Sequence, residues 1–149
     1  MRMRSLVLAI AVATLSACAT TGSTVNLPWP ENLNITPPSP GLAPELAAFS
    51  GIWEGNWDGG LASRLAVEQI DTESARVVYA WDDSPPYFKG GWTRIRAKVS
   101  GGKIEWGTPP NPQFSFRMSG DRTTMHGERV RKDDVMHTVV MRKVTPPAK

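Results

Sequence analysis

The residues best suited to recognition are gathered in one proline-restricted stretch, Trp81-Asp82-Asp83-Ser84-Pro85-Pro86-Tyr87-Phe88-Lys89-Gly90-Gly91-Trp92. Aromatic side chains of this kind can stack on a sugar ring or a flat apolar compound, and tryptophan and tyrosine each add a polar hydrogen. The carboxylates of Asp82 and Asp83 add acceptors, and the two prolines lower the ordering cost of binding. Trp81, Asp82, Asp83, Tyr87, Phe88 and Trp92 are therefore the candidate binding residues. The same composition suits a cap over one end of a barrel. Trp53 and Trp57, with Gly55 between them, read as structural: all three share one face of a strand, and the glycine lets a ring or a neighbouring backbone come close.

Catalytic and metal chemistry find less support. His126 and His137 are the only histidines, and with Glu128, Asp133 or Asp134 they would need the last hairpin to gather them, at a spacing that matches no ligand signature. No serine stands in a Gly-any-Ser-any-Gly elbow. Asp82 and Asp83 are adjacent, so they diverge on extended backbone and make a poor pair of opposed glycosidase carboxylates. Phosphate-loop and dinucleotide fingerprints are missing from the sequence. The expectation is a non-enzymatic protein with no cofactor, catalytic group or metal site.

The single cysteine has a different meaning. Met1 to Ala17 opens with Arg2 and Arg4 and continues as an apolar run from Leu6 to Ala13, the pattern of a signal peptide and too short to span a bilayer comfortably. It ends in Leu15-Ser16-Ala17-Cys18, which resembles the bacterial lipobox. That resemblance implies cleavage before Cys18 and acylation of its sulfur and amine, and several acyl chains anchor a protein firmly. Ala19 stands where many inner-membrane lipoproteins carry aspartate, so an outer-membrane anchor facing the periplasm is expected. Loss of Arg2 and Arg4 reduces the 17 basic residues to 15 against 14 acidic ones, which removes the apparent basicity. With export, this argues against a nucleic-acid partner. The expected partners are the membrane, through the anchor, and a small ligand or an envelope protein.

A chain of 149 residues with 40% hydrophobic and 21% charged residues supports one small domain and excludes a multidomain enzyme. Residues 18–44 are rich in Pro, Thr, Ser, Asn and Gly and read as a disordered or semi-rigid tether, in which Trp29 is either a docking residue or an aromatic folded onto the domain. Residues 45–145 form the domain, and Pro146 to Lys149 a frayed end. Ala43 to Phe49 predicts one or two helical turns. From Gly51 onward short alternating segments dominate, separated by Asp58-Gly59-Gly60, Ser100-Gly101-Gly102, Ser119-Gly120-Asp121 and Arg131-Lys132-Asp133-Asp134. Arg64, Arg76, Arg94, Arg96, Lys98, Lys103, Arg117 and Arg129 fall mainly at positions predicted to face solvent. About eight strands with such short connections predict an antiparallel meander, closed as a small up-and-down β-barrel.

Gly51-Ile52-Trp53 also resembles the Gly-any-Trp strand of lipocalins, avidins and related calycin barrels, and Phe49 to Glu68 extends that likeness. The resemblance implies a barrel of the same general kind, with no ligand contacts to carry over residue by residue.

Overall fold

A computed structural model describes residues 27–145. The expected signal peptide, Cys18, the start of the expected tether and Pro146 to Lys149 lie outside the described residues. Alternating segments become strands wherever turn residues bound them: β1 (Gly51–Asn56), β2 (Ala62–Ile70), β3 (Ser74–Trp81), β4 (Gly91–Ser100), β5 (Lys103–Trp106), β6 (Gln113–Met118), β7 (Thr124–Val130) and β8 (Met136–Val144). One short helix, α1 (Pro44–Ala47), precedes them with proline at its first position, where the missing amide costs nothing. Each strand pairs antiparallel with the next, and β8 returns to β1 through Ile52↔Val144, Trp53↔Lys143 and Glu54↔Arg142. The result is the closed eight-stranded up-and-down barrel that the alternation predicts.

Registered partners share a face, so Trp53↔Leu65↔Tyr79 and Ile104↔Phe116↔Gly127 line the inside. Trp53, Leu65, Ile104, Phe116, Met125 and Met141 are fully buried there. Gly55 allows the wall to close: a Cβ on it would stand 2.6 Å from the Val140 carbonyl oxygen and 2.9 Å from Val139 Cγ2. A side chain on Gly127 would overlap the Phe116 ring. The end that carries the β2–β3, β4–β5 and β6–β7 turns is plugged by Leu42, Leu46 and the fully buried Phe49, which follows α1. The Phe49 carbonyl accepts the Trp53 indole N–H at 2.8 Å, fixing the plug to the wall.

The prolines before α1 do not make a spacer over the described residues. Leu27 packs against Ala62 and Ala80, and Leu33 and Ile35 cover Ile52, Ala66, Val78 and Val144, all on the outer wall. Trp29 is half-buried between these two clusters, with the Arg64 guanidinium 5.0 Å from its ring. This strap runs down the outside, from the open end toward α1. It covers the apolar part of the outer face of β1 to β3, Ile52, Ala62, Ala66, Val78 and Ala80, which would otherwise form an exposed patch. Glu68, only 1% exposed, pins it. The Glu68 carboxylate accepts the Asn34 amide at 3.1 Å and is clasped by Arg94 at 2.9 and 3.1 Å and by Arg76 at 3.2 Å, while its carbonyl accepts the Thr36 amide at 2.7 Å.

The β4–β5 seam of the cylinder is short. β4 and β5 pair only over Lys98↔Glu105, Val99↔Ile104 and Ser100↔Lys103, whereas β3 and β4 pair over eight positions. Toward the open end the two strands splay, leaving a cleft of about 620 Å³ whose lining includes Ile95, Arg96, Trp106 and Phe114.

Candidate functional site

The β1–β2, β3–β4, β5–β6 and β7–β8 connections surround the unplugged end. Just inside it, register places Trp106, Phe114, Arg129 and His137 in one inward row across β5 to β8. Trp106 stacks on Phe114 at 5.0 Å and on Phe116 at 5.2 Å. Tyr79 faces Phe114 at 5.1 Å and stacks on Trp81 at 5.9 Å. Phe116 lies deep in the core, but Trp81, Trp106 and Phe114 are only half-buried, so their rings are available at the mouth.

Polar groups stand beside these rings. Trp57 donates its indole N–H to the Tyr79 hydroxyl at 2.9 Å, and burial holds the Tyr79 phenol above its ordinary pKa, so it stays protonated. The Arg129 guanidinium lies 5.1 Å over the Trp57 ring, and burial pulls its pKa below the usual guanidinium value. His137 Nδ1 is 2.6 Å from Asp58 Oδ1. The Asp58 carboxyl is held below its ordinary value first by the Thr138 amide and then by His137. Arg129 Nε and His137 Nε2 are buried without a hydrogen-bond partner among the described residues.

The predicted binding loop divides between the two faces of the wall. Trp81 points inward, opposite Gly91, and donates its indole N–H to the Lys89 carbonyl at 3.0 Å. Trp92 pairs with Ala80 on the outer face, 41% exposed, with the Arg94 guanidinium 6.0 Å over its ring. The two tryptophans therefore bracket the loop in sequence without meeting in one pocket. Asp82 and Asp83 fold the loop onto itself: Asp82 Oδ1 accepts the Asp83 amide at 2.8 Å, and Asp83 Oδ1 accepts the Gly90 amide. Tyr87 and Phe88 stand outward, 84% and 43% exposed.

Arg129 departs from the solvent-facing expectation because it continues the inward set Met125, Gly127, Arg129. The signal was present in the sequence, two residues beyond a glycine that hid the alternation. Trp106 and Phe114 lie outside the Trp81 to Trp92 stretch in sequence, and it is the pairing of β5 with β6 that sets them side by side. His126 faces outward and His137 inward, so the final hairpin does not gather them, and no group of three metal-ligating residues occurs among the described residues. Trp53, Gly55 and Trp57 occupy the interior, with Trp53 and Trp57 0% and 1% exposed.

No protein-family model and no curated protein matches the chain. The closed meander agrees with a calycin-like barrel at the level of architecture alone.

Proposed function

We propose that this is an exported, lipid-anchored envelope protein whose barrel binds a small apolar or flat ligand at its open mouth, without catalysing a reaction. The observation that carries this reading is the half-buried aromatic set Trp81, Trp106 and Phe114 at the unplugged end. Such rings supply contact area while the tightly packed interior below them bars deeper entry. The splayed β4–β5 seam adds a lateral approach to Trp106 and Phe114.

The test is titration of the purified full-length chain with N-phenylnaphthylamine, a neutral aromatic probe, read by energy transfer from tryptophan. Saturable binding is expected. Trp106→Ala should weaken it about tenfold, equivalent to roughly 1.4 kcal/mol, while Trp92→Ala on the outer wall changes it by about twofold at most. Absence of saturation, or equal effects of the two variants, would overturn the reading.

Docking of a protein partner is the second reading, favoured by Tyr87, 84% exposed on a braced loop. On that reading a Tyr87→Ser, Phe88→Ser variant loses the partner and keeps the probe.

A further inference from the structure

Arg129 and His137 are registered neighbours on β7 and β8, both turned toward the interior beside the aromatic rings. Each has one buried nitrogen with no hydrogen-bond partner among the described residues, Nε of Arg129 and Nε2 of His137. An arginine turned into a barrel is costly, and the Trp57 face beneath it offsets only part of that cost. Nor do the nearby carboxylates supply the missing partner. Asp58 is committed to His137 and to the amide and hydroxyl of Thr138, at 3.0 and 3.4 Å. Asp133 pairs with Arg131 at 3.4 Å, and Glu128 and Glu105 lie on the outward register.

We propose that the ligand of the mouth is an amphiphile with an oxyanion head, a carboxylate or sulfonate, seated between Arg129 and His137. Its apolar body lies on Trp81, Trp106 and Phe114. This rests on the mouth-binding reading above and narrows its ligand class. An oxyanion gives Arg129 Nε–H a charge-assisted hydrogen bond of the stronger kind. Asp58, ionised and accepting from the Thr138 amide, requires the proton on His137 Nδ1 and leaves Nε2 as the nitrogen for the ligand. Nε2 can donate to an oxyanion only when the imidazole carries both protons, so Arg129 is the donor that holds the head, and a neutral ligand without acceptors leaves the Arg129 N–H buried and unpaired.

The experiment compares two probes of similar aromatic body on the full-length chain: anilinonaphthalene sulfonate, which is anionic, and N-phenylnaphthylamine, which is neutral. Arg129→Gln keeps the aliphatic stem through Cδ and a polar end that can hydrogen-bond, but removes the charge. It is expected to weaken the sulfonate about tenfold and the neutral probe by about twofold at most. Decanoate should displace the sulfonate probe more effectively than decanol. Equal effects of Arg129→Gln on both probes, no effect on either, or equal displacement by decanol would overturn the oxyanion assignment while leaving mouth binding in place. Failure of both probes to saturate the unsubstituted chain would overturn mouth binding itself. Thermal melts establish that Arg129→Gln is folded; where it is not, His137→Gln is read against the same outcomes.

Discussion

Asp71 and Asp121 sit in turns at the plugged end and do similar work there. Asp71 Oδ1 accepts the amides of Glu73 and Ser74 at 2.8 and 2.7 Å. Asp121 Oδ1 accepts the Ser119 hydroxyl at 2.6 Å and the Thr123 amide at 3.1 Å. These bonds, the Ser119 hydroxyl foremost, pull the Asp121 carboxyl from 3.8 to about 2, and the two turn amides lower Asp71 in the same direction. A folded-state value below the unfolded one means that the stabilisation is complete above about pH 4 and is lost as pH falls through about 2. The melting temperature should therefore drop on acidification across that window. Asp121→Asn should melt below the unsubstituted protein near neutral pH and converge with it at about pH 2. A gap that stays constant with pH would remove the carboxylate from this role.

At the scale of elements, the eight strands were legible because alternation and turn chemistry agree along the whole domain. The strap was not. Pro28, Pro30, Pro37, Pro38 and Pro40 give it the composition of a spacer, and proline content says nothing about what the spacer lies against. The contrary signal lay elsewhere, in Leu65-Ala66-Val67 and Val77-Val78-Tyr79-Ala80. These runs are apolar on both faces, as expected of strands covered on both sides. For the mouth, strand order and register decide which residues meet, so Arg129 and His137 became neighbours only once β7 and β8 were paired. Glu68 is the post that holds the strap, and Glu68→Ala leaves two arginines and the Asn34 amide without their acceptor. Because both arginines keep contact with solvent, the cost should be roughly 1.5–3 kcal/mol in a denaturant titration, below that of a fully buried pair. Amide exchange should accelerate at Asn34 and Thr36 before it does in β6 or β7. Uniform acceleration would mean that Glu68 supports the barrel rather than the strap.

The whole molecule has one plugged end and one open end, and a single chain direction along its outer wall. Lipidation at Cys18 remains part of the proposed function, and Cys18→Ser tests it directly. The unsubstituted chain should sediment with membranes and require detergent for release, whereas the variant should move to the soluble fraction. Continued detergent-dependent sedimentation of the variant would end the lipoprotein reading. The strap would give such an anchor an orientation. Leu27 lies against Ala62 and Ala80, beside the mouth rather than beside α1. Eight residues separate it from Cys18, a span of nine steps along the chain that reaches about 30 Å at full extension. An acyl group on that cysteine would leash the cup by its lip, so an amphiphile leaving the bilayer surface would meet the rim before the base.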